Sequence, residues 1–271
     1  MNILDKIVAH KQQEVAQRKE LYPVKLLEKS IYFETPPVSM RHYIRRPDKS
    51  GVIAEFKRRS PSKGDINPYA SVEQVTIGYM QAGASALSVL TDEHFFGGKN
   101  GDLTEARNNN FCPILRKDFV IDEYQIIEAR SIGADVILLI AECLTKEQVK
   151  QLSAKAHELK LEVLMEIHSI DQLEKLSEHI DLVGVNNRNL KDFTVSIQHS
   201  LDALPYLPDE VVKVSESGLN DPVAVVELKE AGFEGFLIGE YFMQADHPPQ
   251  QAKSFIQRIR HLESLSRNAI A

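Results

Sequence analysis

Residues 53–64 read IAEFKRRSPSKG, and this stretch continues an apolar run that begins just after Gly51. The apolar start predicts a buried strand, and the Ser-Pro-Ser-Lys-Gly end predicts a tight polar loop. On a strand, Glu55 and Lys57 point to the same face because side chains alternate between faces. Two ionisable groups on an inward face are costly unless they pair or take part in chemistry. This stretch alone is equally consistent with a structural ion pair and with a functional site.

The same succession of apolar run, polar end and amphipathic segment recurs along the chain. The strand candidates are Val52–Phe56, Ala86–Leu90, Pro113–Lys117, Val136–Ile140, Glu162–Glu166, Leu182–Asn186, Val211–Glu216 and Gly235–Ile238. The helix candidates are Val72–Ala82, Leu103–Asn108, Asp122–Ile132, Lys146–Leu159, Ser169–Glu178, Ser196–Leu204, Pro222–Ala231 and Gln250–Leu262. Eight strands that alternate with helices require parallel crossovers, so we predict an α/β fold of the TIM (β/α)8 barrel class.

The first 50 residues differ from this pattern. Apolar residues recur at helical spacing over residues 2–20, and prolines and charge clusters follow over 21–48. Such a segment is too short for a core of its own, so we expect an N-terminal helical extension packed on the barrel. The prediction is a single barrel domain over residues 1–271, with 1–50 as the extension.

Composition restricts the partners. A net charge of −7 argues against nucleic-acid binding. We find no apolar stretch near the roughly 18–20 residues that span a membrane, and no signal-peptide pattern. Two cysteines and scattered histidines indicate neither a disulfide framework nor a metal site, and His157, His168, His179 and His199 are expected at the surface. We therefore expect a cytoplasmic monomer or weak homodimer without cofactor or metal, acting on a small anionic molecule.

The active site of a TIM barrel lies at the C-terminal ends of its strands. Here those ends carry ionisable or polar residues, namely Glu55, Lys57, Lys117, Glu166, Asn186, Arg188 and Glu216. Lys117 and Glu166 are the strongest acid–base candidates, since a partly desolvated lysine can donate a proton and a carboxylate can accept one. The alternative is a set of ion pairs across the barrel top. Both can hold together, because ion pairs also set pKa values.

The last two strand ends predict a phosphate site. Gly218 and Gly239 leave backbone N–H groups uncovered, and a helix that begins near Glu240 would direct its N-terminus at an anion. The alternative is that both glycines only serve turns. A carboxylate is unfavourable beside phosphate, so we expect the Glu240 side chain to turn away. Phe95, Phe96 and Phe119 could wall an aromatic slot, although aromatic residues at strand ends more often belong to the core.

Five segments of the chain resemble motifs of indole-3-glycerol-phosphate synthase, the barrel enzyme of tryptophan biosynthesis. They are Glu55–Gly64, Ser88–Asp92 with Phe96–Gly98, Leu115–Phe119, Gly184–Arg188 and Ser215–Gly218. The resemblance covers nearly the whole chain in order, including the helical N-terminal extension, and the set of motifs is far more specific than any one of them.

The resemblance implies a carboxy-lyase that converts 1-(2-carboxyphenylamino)-1-deoxyribulose 5-phosphate to indole-3-glycerol phosphate, CO2 and water. It implies that Lys117 is the general acid and that Glu166 assists the dehydration as a base. Lys57 would contact the substrate carboxylate or assist proton transfer, and the division of the acid role between the two lysines stays open.

The resemblance also implies roles for the other polar strand ends. Glu55, Asn186 and Glu216 would orient the substrate hydroxyls and the lysines, and Phe96 and Phe119 would line the anthranilate slot. The anionic groups of the substrate would lie near Ser60, Arg188, Ser217, Gly218, Gly239 and Glu240, with the phosphate at the last four.

Two other classes of function remain. One is another phosphosugar barrel, such as a Schiff-base aldolase that uses Lys117 or Lys57, or an enzyme like phosphoribosylanthranilate isomerase. The other is a barrel that only serves as a binding scaffold for proteins of the pathway. The set of Lys57, Lys117 and Glu166 argues against a scaffold, which has no need of buried charges.

Overall fold

The structure is a computed structural model that describes residues 3–189 and 194–270. Within these residues, eight parallel strands form a closed barrel in which each strand pairs with its neighbours in sequence and the last pairs with the first. The strands are β1 Val52–Phe56, β2 Ala86–Leu90, β3 Ile114–Lys117, β4 Val136–Ile140, β5 Glu162–Ile167, β6 Leu182–Asn186, β7 Val212–Glu216 and β8 Gly235–Ile238. A short antiparallel hairpin, Arg59–Ser60 with Gly64–Asp65, follows β1.

Helices surround the barrel and extend from it at the N-terminus. The α-helices are α1 Ile3–Leu21, α2 Val24–Leu27, α3 Met40–Ile44, α4 Val72–Gln81, α5 Asn100–Asn109, α6 Glu123–Ser131, α7 Lys146–Glu158, α8 Gln198–Ala203, α9 Pro222–Ala231, α10 Glu240–Met243 and α11 Pro248–Ile270. The 3-10 helices are Ile31–Phe33, Ala141–Cys143, Ile170–Lys175 and Leu204–Tyr206. In the part of the chain that the structure describes, none of the helices has the length and apolar character needed to cross a membrane.

The barrel prediction is confirmed, and its strands begin and end within one residue of the expected positions. Three helix predictions were inaccurate, and one of them is the start of α5, which lies at Asn100 rather than Leu103. The segment between β5 and β6 forms the 3-10 helix Ile170–Lys175 rather than an α-helix over Ser169–Glu178. The last helix extends beyond Gln250–Leu262 at both ends, over Pro248–Ile270.

Local sequence signals start several of these helices. The Asp122 side chain accepts a hydrogen bond from the Tyr124 N–H, and the Thr145 side chain accepts one from the Gln148 N–H. Gln125 and Gln148 complete capping boxes with these two residues. Asp221 accepts a hydrogen bond from the Val223 N–H at the start of α9. These caps satisfy N–H groups that a helix leaves unpaired and so place the helix starts after the strands.

Strand alternation separates two layers of core. One layer lies between strands and helices, and the other fills the barrel interior with residues such as Ile53, Leu115, Leu164 and Val214. The interior becomes polar towards the C-terminal ends, where Glu55, Lys117, Glu166, Asn186 and Glu216 replace the aliphatic side chains. The fold therefore places the ionisable residues together at one end of the barrel.

The N-terminal extension covers both ends of the barrel. Met40 and Ile44 of α3 join the apolar interior at the N-terminal end, where the backbone N–H of Met40 donates to Glu162. Ile7 of α1 joins the same interior cluster from the opposite end, beside Phe119. The extension thus packs on the barrel as the sequence predicts, with α1 lying over the end that carries the charges.

Candidate active site

Two adjoining cavities open at the C-terminal end of the barrel, with volumes of about 410 and 490 Å³. The smaller cavity, here called the aromatic lobe, contains Phe96 and Phe119 in its walls together with aliphatic residues of α1. The larger cavity, here called the polar lobe, lies against Lys63, Gly218 and Gly239. The lobes share the lining residues Glu55, Lys57, Arg188, Ser217, Leu237 and Glu240.

Lys117 lines the aromatic lobe from the end of β3. Its Nζ lies 2.9 Å from Glu166 Oε2 and 2.7 Å from Glu216 Oε2. Burial lowers the pKa of the Lys117 ammonium, but the charges of Glu166, Glu216 and Glu55 outweigh burial and raise it. Lys117 is therefore held as a cation in the wall of the aromatic lobe.

The pKa values of the two carboxylates around Lys117 are shifted in opposite directions. Burial alone raises the pKa of Glu166, but Lys117 and His168 outweigh it and hold that pKa below its usual value. Burial raises the pKa of Glu216, to which the charge of Glu166 adds. Glu216 Oε1 is buried and has no hydrogen-bond partner among the described residues, which agrees with a raised pKa. Glu166 thus has the lower pKa of the two carboxylates.

Asn186 and His168 surround the second oxygen of Glu166. The Nδ2 of Asn186 donates to Glu166 Oε1 at 3.0 Å, and Nε2 of His168 lies 3.4 Å from the same oxygen. The expected surface position of His168 is wrong, since its side chain is 9% exposed and lines the aromatic lobe. Strand β5 runs to Ile167 rather than Glu166. Because side chains alternate along a strand, residue 168 lies on the same inward side as Glu166. The prediction ended the strand at Glu166 and so did not extend the alternation to residue 168.

A second ion pair lies at the junction of the lobes. Nζ of Lys57 is 3.1 Å from Glu55 Oε1, and Ser88 donates to the other carboxylate oxygen of Glu55 at 3.1 Å. A Cβ on Gly239 would lie 2.6 Å from Glu55 Oε1, so this glycine leaves the space that the carboxylate occupies. Glu55 and Lys57 therefore form the ion pair that was one of the two interpretations of this stretch. The pair lies in the cavity that the strand ends enclose.

The polar lobe has the basic and glycine-rich lining expected for an anion. Ser217 and Gly218 both have a φ of 71°, so the chain turns sharply after β7 at the edge of this lobe. A Cβ on Gly218 would lie 2.1 Å from Val195 Cγ1, so only glycine fits there. Lys63 and Arg188 supply positive charge to the lining.

The Glu240 side chain does not turn away as expected. Its carboxylate oxygens lie 3.7 Å from Lys63 Nζ and 3.8 Å from Arg188 Nη2. The attraction of these two cations holds the carboxylate at the rim of the polar lobe, which the sequence pattern did not reveal. Glu240 therefore competes with any bound anion for the same cations.

Phe96 and Phe119 contact each other in the wall of the aromatic lobe. Their ring centroids are 5.9 Å apart at an interplanar angle of 38°. Phe95 instead packs against His94 and His10, with centroids 4.6 and 5.7 Å away. Helix α1 contributes Ile3, Leu4 and Ile7 to the lobe. The sequence alone did not predict that these residues line the site. Their spacing of three and four residues marks one helix face, but only the fold shows what that face covers.

The structure places almost all of the predicted site residues in the walls of these lobes. The residues of the aromatic lobe are Glu55, Lys57, Ser60, Phe96, Lys117, Phe119, Glu166, Asn186, Arg188, Ser217 and Glu240. Gly218 and Gly239 line the polar lobe. Glu216 is the exception, because its buried side chain does not line either lobe and contacts the site through Lys117.

A solved structure supports the fold assignment. Thiamine phosphate pyrophosphorylase from Pyrococcus furiosus superposes with a TM-score of 0.58 and 13% identity, over 82% of this chain and 99% of that one. At this identity the likeness concerns the fold alone.

Sequence comparisons identify the family. The family model described as indole-3-glycerol phosphate synthase matches residues 4–255. The indole-3-glycerol phosphate synthase of Bacteroides thetaiotaomicron is 46% identical over 96% of this chain and 99% of its own length. That of Burkholderia ambifaria is 42% identical over 92% and 97%. The chain therefore belongs to the indole-3-glycerol phosphate synthase family, the carboxy-lyases (EC 4.1.1.48) of tryptophan biosynthesis.

Proposed function

We propose that this chain closes the indole ring of indole-3-glycerol phosphate by using Lys117 as general acid and Glu166 as base. The observation that carries the proposal is the position of the Lys117 ammonium, held between Glu166 and Glu216 in the wall of an aromatic cavity. That cavity adjoins a basic, glycine-lined one, as a substrate with an aromatic acid at one end and a phosphate at the other requires. The substrate is 1-(2-carboxyphenylamino)-1-deoxyribulose 5-phosphate.

In the first step the ring carbon that bears the carboxylate attacks the ribulose carbonyl. A carbon–carbon bond forms, and Lys117 gives its proton to the carbonyl oxygen, which becomes a hydroxyl. The ring now carries positive charge, so the bond to the carboxylate breaks and its electron pair restores aromaticity as CO2 leaves. The protein contributes proximity and electrostatic stabilisation, since it holds the chain folded over the ring.

In the second step the new hydroxyl leaves as water. The C–O bond breaks as the hydroxyl takes up a proton from one of the two lysines, Lys117 or Lys57. Glu166 accepts a proton from the neighbouring CH2 carbon beside the ring nitrogen, and the electron pair of that C–H bond forms the double bond of the indole. Lys57 contacts the substrate carboxylate or supplies a proton, and how the two lysines share the acid role stays open. Glu55, Asn186 and Glu216 orient the lysines and the substrate hydroxyls through the contacts described above.

The anionic ends of the substrate bind at the lobes' shared wall and in the polar lobe. Ser60 and Arg188 contact anionic groups of the substrate. The phosphate lies against Ser217, Gly218, Gly239 and the backbone of Glu240. Phe96 and Phe119 line the slot for the anthranilate ring, to which they offer aromatic contacts.

A Schiff-base aldolase is the alternative enzyme, and the electrostatics oppose it. Imine formation needs a neutral amine, whereas two carboxylates keep Lys117 protonated. Incubation with the substrate is expected to give indole fluorescence and one CO2 for each product formed. The chain contains no tryptophan, so the protein adds no indole signal. Borohydride trapping of a protein–substrate adduct without indole formation would contradict the proposal and support the aldolase.

We further propose that residues 1–271 act as one barrel domain in the cytoplasm, as a monomer or weak homodimer. The contacts of α1 and α3 with the barrel interior support one domain. Sedimentation equilibrium is expected to give the mass of a single chain of 30.6 kDa or a weak monomer–dimer equilibrium. A tight higher oligomer would contradict this proposal.

A further inference from the structure

Lys11 of α1 is a fully buried lysine outside the catalytic set. Its Nζ lies 2.9 Å from Asp92 Oδ2, 3.0 Å from Asp118 Oδ1 and 2.9 Å from Glu14 Oε2. Its side chain and both aspartates are at most 1% exposed. Burial lowers the pKa of Lys11, but the three carboxylates outweigh it and raise that pKa, so the group is a cation.

Both aspartates also hold the backbone of the aromatic lobe. Asp92 Oδ1 accepts hydrogen bonds from the N–H groups of Phe95 and Phe96, at 2.7 and 3.2 Å. Asp118 Oδ1 accepts one from the N–H of Phe119 at 2.8 Å. One ammonium therefore connects the carboxylates that hold the backbone at Phe96 and at Phe119, whose rings contact each other in the lobe wall.

We propose that Lys11 is a positioning residue that sets the separation of Phe96 and Phe119 and so the fit of the substrate's aromatic ring. The inference rests on the proposed function for the identity of that ring. It gives α1 a part in substrate recognition that is separate from the apolar contacts of Ile3, Leu4 and Ile7.

The chemistry of the site favours positioning over simple packing. A buried ammonium pays a desolvation penalty that an apolar residue at the same place would avoid, and an apolar residue would continue the Ile3 and Ile7 face. The positive charge of Lys11 is needed because Asp92 and Asp118 are buried beside it. Both aspartates accept hydrogen bonds from the backbone of the aromatic lobe.

The two aspartates depend on Lys11 to different degrees. Asp118 also pairs with Arg116 at 3.2 Å and accepts a hydrogen bond from Thr91 at 2.6 Å. Among the described residues, Asp92 has no cation besides Lys11. Loss of the ammonium should therefore disturb the loop at Phe95 and Phe96 more than the backbone at Phe119.

The experiment compares Lys11→Met with Lys19→Met, which removes a lysine of the same helix whose pair with Asp122 is exposed. For Lys11→Met we expect KM to rise about tenfold while kcat stays within about threefold of the wild-type value. The variant loses binding of the aromatic ring that is equally strong in the ground state and the transition state, whereas the general acid Lys117 is intact. Lys19→Met should leave both constants unchanged. A role in packing alone would lower the folded fraction without this split between KM and kcat.

Hydrogen exchange gives a second readout that does not need turnover. In Lys11→Met, exchange should accelerate in the peptide around Phe95 and Phe96, and stay at the wild-type rate around Ser217 and Gly218. An unchanged rate at Phe95 and Phe96 would overturn the inference. Because this result is independent of substrate, failure of the wild type to form indole would refute the proposed function separately.

A double variant covers the case in which Lys11→Met does not fold. Lys11→Met with Asp92→Asn removes both charges of the buried pair, and replacing both partners costs less than stranding one of them. We expect this variant to fold and to show the same rise in KM. A folded double variant with wild-type KM and wild-type exchange would overturn the inference.

Discussion

At the scale of single residues, the chemistry of the site depends on which charges share one cation. Lys117 lies between two buried carboxylates that keep it protonated, as the proposed general acid requires. Lys63 and Arg188 repeat the arrangement in the polar lobe, where Glu240 lies between them at 3.7 and 3.8 Å. There the carboxylate occupies the position from which two cations could attract a phosphate.

Removal of this carboxylate should therefore tighten phosphate binding. For Glu240→Gln we expect the Kd of inorganic phosphate to fall about threefold, since a partly exposed charge next to two cations contributes about 1 kcal/mol or less. Isothermal titration calorimetry at low salt measures it. Glu234→Gln, which removes a carboxylate paired with Arg45 away from the lobe, is the control. Weaker phosphate binding in Glu240→Gln would contradict this account of the polar lobe.

Residue type and strand parity were enough to place Lys117 and Glu166 at the mouth of the barrel, but not to reveal their neighbours. Lys117 and Glu166 could be named because both fall at the ends of clear apolar strands. His168 was not predicted, because the expected strand ended at Glu166 and the alternation of inward and outward side chains was not applied beyond that residue. Lys11 gave no signal, since a lysine on a helix is usually exposed and its two aspartates lie about 80 and 107 positions away.

At the scale of secondary-structure elements, β6 shows how a strand makes room for a charge on its neighbour. A Cβ on Gly184 would lie 2.0 Å from Glu216 Oε1 on β7. The strand itself could be predicted from its apolar run. The need for glycine at this position could not, because it arises from the side chain of a different strand.

Gly184→Ala should displace the Glu216 carboxylate and with it Lys117. We expect kcat to fall at least tenfold and the free energy of unfolding to drop by about 1–3 kcal/mol, as for overpacked cores. Kinetics and urea unfolding measure the two effects. Gly101→Ala is the control, because nothing lies within 4 Å of its added Cβ. Wild-type kcat in Gly184→Ala would show that Glu216 does not position Lys117.

At the scale of the whole molecule, a buried ionic network joins the extension to the barrel. Arg116 on the outer face of β3 is fully buried and pairs with Glu128 of α6 at 2.6 Å and Asp118 at 3.2 Å. Glu128 in turn pairs with Arg18 of α1. Together with Lys11, these contacts connect α1, α6 and the strand that ends in Lys117. The apolar periodicity predicted that the extension packs on the barrel, but a network of distant charges leaves no such pattern.

This network should make stability depend on acid pH. Burial raises the pKa of Glu128, but Arg116 and Arg18 outweigh it and lower that pKa below its ordinary 4.5. A carboxyl with a lowered pKa stabilises the fold above its ordinary pKa, and this stabilisation is lost as pH falls through the folded value. We therefore expect the free energy of unfolding in urea to decrease below about pH 4.5.

Glu128→Gln tests the origin of that pH dependence. The variant should lose about 3 kcal/mol at pH 7, because Arg116 stays buried with less compensation, and its stability should change less between pH 5 and pH 3. Asp209→Asn, whose side chain is 98% exposed, should keep the wild-type dependence. If the pH dependence of the unfolding free energy in Glu128→Gln equalled that of the wild type, Glu128 would not be the origin of the acid sensitivity.

The central claim, that Lys117 is the general acid, is tested most directly by the kcat of Lys117→Met. Lys213→Met is the matched control, since Lys213 also lies on a barrel strand but pairs with exposed Asp209 at 3.2 Å. With folding of both variants confirmed by circular dichroism, we expect kcat for indole formation to fall at least about a hundredfold in Lys117→Met and to stay at the wild-type value in Lys213→Met. A folded Lys117→Met with kcat within about threefold of the wild type would contradict the claim and assign the acid role to Lys57.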